Sequence, residues 1–119
     1  MTSAEALFFS AQPALLPLYA ALAEASSRYP DVTVRVQKTQ ITYVHRYVFL
    51  CASIRRVKGA ARLVVTFGLP HRVDSPRIWQ AVEPYPNRWT HHVLVSAPGE
   101  VDTELLAWLD EAYAFAARR

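Results

Sequence analysis

The sequence predicts an α+β domain: an antiparallel sheet of about five strands, with an N-terminal helical segment and a C-terminal helix packed on it. Three observations carry this expectation. Residues 32–96 hold successive β-prone runs broken by short turns, residues 15–22 repeat apolar side chains at helical spacing, and residues 103–117 present a broad helical apolar face. Sequential strands joined by short turns favour an antiparallel meander, and a helix with one apolar stripe must bury it against such a sheet. With 119 residues and no internal repeat, linker or low-complexity tract, the chain reads as one domain over 1–119. Its 52% hydrophobic content provides enough apolar surface to offset chain entropy, which excludes disorder.

The elements follow in order. Ser3 is placed to cap a first helix, with Glu5 at its positive dipole end. Pro13 suits the first turn of a second piece, in which Leu15, Leu18, Tyr19 and Leu22 form one stripe; Ser26, Ser27 and Tyr29-Pro30-Asp31 end it. Residues 6–23 carry no charge, yet MTSAE offers an acid and no Lys or Arg ahead of them, which argues against a signal peptide. Pro13, Pro17, Gln12 and Ser10 interrupt any membrane span. Val32, Val34 and Val36 alternate with polar residues as in a half-buried strand.

After Lys38-Thr39-Gln40, the run from Ile41 to Val57 is apolar on both faces and reads as one long central strand. Arg46 then shares a face with Val44, Val48 and Leu50, where burial demands a partner such as Asp102 or Glu104. Arg55, Arg56, Lys58 and Gly59 form a basic hairpin, and Leu63 to Leu69 the next strand. Pro70 to Arg77 is a loop, Ile78 to Val82 a short strand, Glu83 to Arg88 a Pro-rich turn and Trp89 to Ser96 a last strand. Asp102 caps the terminal helix, whose face is Leu105, Leu106, Trp108, Leu109, Ala112, Tyr113 and Ala116.

Charge is segregated along the chain. Residues 35–92 hold ten Lys and Arg against only Asp74 and Glu83, while the flanking segments are net acidic. A basic segment attracts anions, or it pairs internally with the acidic helices. Three Gly in the whole chain leave no Gly-rich phosphate loop, and the lone Cys51 fits a reducing, cytoplasmic setting.

Several stretches are distinctive in order: Gln12-Pro13 before Leu15-Leu16-Pro17-Leu18-Tyr19, then Lys38-Thr39 with Ile41 and Tyr43, Trp89-Thr90-His91, Val101-Asp102, and Leu105 through Tyr113. The sequence resembles, over nearly its whole length, the bacterial family known as domain of unknown function 5655. The resemblance implies a small α+β domain and supplies no activity. Arg55-Arg56-Val57-Lys58 stands where the family pattern leads one to expect a proline, so that turn is not carried over.

No constellation of catalytic residues emerges. His91 and His92 are adjacent on a strand and point to opposite faces, and no HExxH, CxxC or acid at ligand spacing accompanies any His, so neither metal nor cofactor is expected. His71, Asp74 and Ser75 share one loop, where Asp74-Ser75-Pro76 reads more simply as a turn. The candidate ligand-binding residues are Lys38, Thr39, Tyr43, Arg46 and His91, a cationic, aromatic-walled cleft if the strand registers bring them together. Such a cleft suits a small anionic ligand or a protein partner. Two alternatives stand beside it: nucleic-acid binding through the basic segment with its aromatic residues, and an uncharacterised enzyme using Tyr43 or His91. A homodimer surface at Trp79 or Trp89 stays open.

Overall fold

The computed structural model describes residues 1–119. Helix α1 (Ser3–Phe8), a 3₁₀ turn (Pro13–Leu15) and α2 (Leu16–Ser26) precede six strands. These are β1 (Thr33–Val36), β2 (Gln40–His45), β3 (Tyr47–Val57), β4 (Ala60–Leu69), β5 (Ile78–Tyr85) and β6 (Arg88–Val95). A 3₁₀ turn (Pro98–Glu100) leads into α3 (Thr103–Ala117). The α+β architecture expected from the sequence is present, with six strands. No helix is long and apolar enough to cross a membrane.

All neighbouring strands are antiparallel, in the order β1-β2-β3-β4-β6-β5. The meander therefore breaks once. Residues 70–77 carry the chain past the place of β6 to the far edge, so that β4 and β5 run parallel with β6 between them. Cross-strand partners define two faces. Rows Tyr43–Leu50–Phe67–His91 and Ile41–Ala52–Val65–Val93 lie under the helices and join Leu18, Tyr19, Leu22, Leu105 and Leu109 around one core. Each such fully buried aliphatic side chain contributes about 1.5–3 kcal/mol. Rows Thr42–Cys51–Thr66–His92 and Ser53–Val64–Leu94 line the opposite face, and Val64, though buried, stands apart from the helix-side core.

The run from Ile41 to Val57 is a hairpin and not one strand. His45 pairs with Tyr47, and Arg46 between them turns the chain at φ 63°. A left-handed residue without Gly or Asn is unusual, because the Cβ meets the following carbonyl at a cost of about 1–2 kcal/mol. No residue type in the run announces the turn. Arg46 is consequently exposed, and the ion pair with Asp102 and Glu104 expected of it is made by Arg77 instead, at the surface. Arg77 donates to Asp102 (2.8 Å), Glu104 (3.1 Å) and the Glu100 carbonyl (2.8 Å), tying the crossover to the start of α3.

Two further expectations are corrected. Thr2, not Ser3, caps α1: its hydroxyl accepts the Glu5 N–H while Glu5 accepts the Thr2 N–H, a reciprocal capping box. Strand β1 lies at the sheet edge, so that Val34 and Val36, the face expected to be buried, remain 38% exposed, and all four strand residues are exposed. The Lys58-Gly59 turn forms as the sequence indicates, both residues at positive φ, the pattern that matches strand twist in a two-residue hairpin.

Asp102 accepts the Leu105 N–H at 3.0 Å and also holds Arg77. Asp102→Ala should therefore lower stability by about 1–2 kcal/mol, the usual loss for a helix cap, read as a fall in the urea midpoint. An unchanged midpoint would show that α3 does not depend on its cap.

Candidate functional site

The five residues singled out from sequence do not share one cleft. Lys38 and Thr39 lie exposed in the β1–β2 turn, and Arg46 lies at the other end of β2, about 26 Å from Lys38 at strand rise. Tyr43 and His91 sit in the same helix-side row but with β3 and β4 between them, about 14 Å apart at normal strand spacing. Both are buried, at 3% and 0% exposure.

Each of the two has a local task. Tyr43 meets the Tyr19 hydroxyl at 2.8 Å, and Tyr19 donates to the buried Glu5 carboxylate. Burial pushes Tyr43 up to about 12. Burial alone would raise Glu5, but hydrogen bonds from Tyr19 and Thr2 outweigh it and keep the carboxyl below its ordinary value. His91 accepts the Val73 N–H on Nε2 at 2.9 Å, so its proton sits on Nδ1. Its ring stacks on Phe67 at 5.2 Å, and Phe67 stacks on Trp108 of α3. Burial, helped by His71 and Arg72, holds His91 below the ordinary imidazole value and so neutral. His92 points the other way, as expected, and meets the Thr66 hydroxyl at 2.8 Å.

A cleft does form, at the sheet end where β3 and β4 part. Their register runs from Val57–Ala60 to Leu50–Phe67 and stops. Beyond it Tyr47 and Val48 pair only with β2, and Gly68 and Leu69 only with β6. The cause is a bulge at Phe49, an extra residue between the Tyr43–Leu50 and Val44–Val48 pairs, which bends β3 and turns two successive side chains inward. Phe49 then packs edge-on against Tyr29 (5.5 Å) and Tyr113 (5.3 Å).

The opening has a volume of about 240 Å³. Phe49, Tyr85, Trp89 and Phe115 contribute its apolar and aromatic walls, and Arg88 and Arg119 are its cations. No Asp or Glu lines it, and neither Arg is in an ion pair. Arg88 lies 6.0 Å from the Tyr85 ring; Arg119 lies 4.8 Å from Tyr47 and 5.7 Å from Phe115. The Nε of Arg119 is buried without a hydrogen-bond partner. Gly68 keeps the floor open, since a Cβ there would meet nothing nearer than the Trp89 carbonyl at 4.0 Å. Cys51 lies beneath, its thiol pushed up to about 11 by burial and thus uncharged at neutral pH. The Tyr85-Pro86-Asn87-Arg88-Trp89 stretch was the available sequence signal, a cation between aromatics; in sequence Tyr85 and Trp89 enter only the nucleic-acid reading, and Arg88 only a turn.

The acidic helices do not neutralise the basic segment. Of its ten Lys and Arg, only Arg77 pairs with acids; Arg28–Asp110 and His71–Glu111 complete the ion pairs. His71 is committed to Glu111 at 2.6 Å and Ser75 accepts the Arg77 N–H at 3.2 Å, so the loop's polar residues do not converge. No three His, Cys, Asp or Glu side chains gather in a metal-binding group.

Residues 4–116 match the family model described as Domain of unknown function (DUF5655). No curated protein and no solved structure matches the chain.

The buried imidazole sets a pH dependence. Because His91 is held below the ordinary value of 6.5, the unfolded chain takes up this proton first as pH falls. Stability is therefore lost as pH drops through that value, and the loss levels off below the folded one. His91→Gln keeps an acceptor for the Val73 N–H but cannot titrate. Between about pH 7.5 and about pH 5.5 its urea midpoint should fall less than that of the wild type. His92 and His71 act equally in both proteins, so an equal fall would assign the acid sensitivity to other groups.

Proposed function

The chain belongs to the domain of unknown function 5655 family, and we propose that it binds a small amphipathic anion in the cleft between β3 and β4. The observation that carries this reading is the pair of unpaired guanidinium groups, Arg88 and Arg119, on an apolar cleft with no Asp or Glu in its lining. A guanidinium presents a planar fork of donors that matches a carboxylate or phosphate in two parallel hydrogen bonds. Pockets for small ligands combine mostly apolar walls with a few polar groups that fix orientation, as nine hydrophobic residues among fifteen do here. The ligand's anionic group would meet Arg88 and Arg119, with its apolar or aromatic body against Phe49, Trp89 and Phe115.

This reading keeps a cationic, aromatic-walled cleft but assigns it to other residues. Tyr43 and His91 are spent on internal hydrogen bonds, and Lys38, Thr39 and Arg46 stand in separate exposed turns.

A thermal-shift series tests it with indole-3-carboxylate, octanoate and nucleoside monophosphates, alongside inorganic phosphate and an uncharged indole. The amphipathic anions should raise the unfolding temperature while phosphate alone and the uncharged ring do not. At ~100 times its dissociation constant a ligand adds ~2.7 kcal/mol of stability. Arg88→Ala and the cleft-filling Gly68→Val should each abolish the shift while the free proteins stay folded. Equal shifts in the wild type and both variants would remove the cleft as the site.

A further inference from the structure

We propose that the sheet face left uncovered by the helices binds single-stranded nucleic acid through Arg55, Arg62 and Trp79, a site separate from the cleft and independent of that reading. The helices and their buried residues occupy only one side of the sheet. On the other side, Arg55 of β3 and Arg62 of β4 are direct cross-strand partners, with Cα atoms about 5 Å apart. Like charges directly opposite one another destabilise a sheet. No carboxylate relieves this pair: neither guanidinium is in an ion pair, and Glu100, which accepts the Ser96 N–H at 3.0 Å, makes none with Arg62. Two adjacent cations held in a fixed register without an anion form a place for one to bind.

The neighbouring groups specify the kind of anion. Trp79 occupies a bulge of β5, between the Ile78–Val93 and Gln80–His92 pairs, and the Arg55 guanidinium lies 5.9 Å from its ring. To reach Trp79 from β3, Arg55 extends across β4 and β6, above the row containing Val64 and Leu94, which accounts for a fully buried Val64 on a face without a helix. Arg62 donates to the Ser96 hydroxyl, which orients its fork. Arg35 of β1 continues the cationic face, and Lys58 lies at the adjoining hairpin tip. The rows between carry Thr42, Cys51, Ser53, Thr66 and His92, with no acid.

A single strand offers what this surface lacks, successive phosphates for the two arginines and an exposed base for Trp79. Grooves or faces that join cations to a stacking ring bind single strands with little sequence preference. An acidic peptide would satisfy the arginines and leave the ring without a partner. The molecule's own charge agrees: five of its ten acids, Glu5, Glu24, Glu104, Asp110 and Glu111, lie on the helices and only Glu83 on a strand, which favours a polyanion on the sheet face.

The test is fluorescence anisotropy with a labelled oligothymidylate of about twelve nucleotides, over about 50 to about 200 mM salt. The wild type should bind with an affinity that falls steeply with salt. Arg55→Gln with Arg62→Gln should reduce the salt slope by about 1.4, since each phosphate contact on a single strand adds about 0.7. Trp79→Ala should weaken binding about fivefold to about 150-fold, the range for loss of one stacked base. Arg62→Lys should keep the slope, and Arg28→Gln, which removes one positive charge on the helix side, should leave affinity unaltered. Circular dichroism confirms that each variant is folded. Absence of binding by the wild type, or an unchanged slope in the double Gln variant, overturns the proposal. So does polyglutamate competing as well as an oligonucleotide of equal charge, which makes an acidic protein the partner. A dimer that the double Gln variant dissolves would overturn it too, because the face would then belong to a second copy of the chain.

Discussion

The hydrogen bond from the Val73 N–H to Nε2 of His91 holds residues 70–77 against the sheet and beneath α3. The segment is exposed at His71, Arg72, Asp74 and Pro76 and half-buried at Val73, where the backbone N–H turned from solvent needs an acceptor. His91 supplies one from within the sheet, and Arg77 fastens the far end of the segment to Asp102, Glu104 and the Glu100 carbonyl. This crossing places β5 outside β6. The topology then brings Tyr85 and Arg88 to the cleft and Trp79 to the open face. A residue that looks catalytic in the sequence thus does its work as a neutral acceptor, and both candidate surfaces follow from where it directs the chain.

The second constraint is the bulge at Phe49. A regular pleat would send Phe49 and Leu50 to opposite faces, exposing one large apolar side chain. The inserted residue lets both pack on the helix side, and the resulting bend in β3 separates it from β4 past Leu50–Phe67. A device that improves core packing at one level therefore opens the cleft at the next. Gly68 keeps that opening clear, and the last turn of α3 and the residues just after it bring Phe115 and Arg119 to its rim.

The charge distribution acquires a spatial meaning in the same way. Along the chain, a basic middle lies between acidic ends, which permits either internal neutralisation or an external anion site. In the fold, the acidic ends become the helix layer and the basic middle becomes the sheet and crossover, and of its Lys and Arg only Arg77 is ion-paired to the helix layer, beside the His71–Glu111 pair. Arg55 and Arg62 remain side by side on the outer face, and Arg88 and Arg119 remain at the cleft. Both proposals rest on this separation.

Much of the architecture was legible because it is written in local chemistry. The 3.6-residue stripe of α3 with Asp102 at its cap, the opposite orientations of His91 and His92, and the Lys58-Gly59 hairpin each depend on residues close in the chain. The hairpin at Arg46 was hidden, since that turn is imposed by the pairing of β2 with β3 and not by a turn-forming residue. The expected cleft failed for a related reason: Tyr43 and His91 share a face, but the number of strands between them is a property of sheet order. By itself the sequence determined the element types, the single buried face and the charge segregation, because periodicity and composition act over a few residues. Which cations meet which aromatic rings was decided only by the tertiary structure, because strand order, a bulge and a crossover join residues dozens of positions apart.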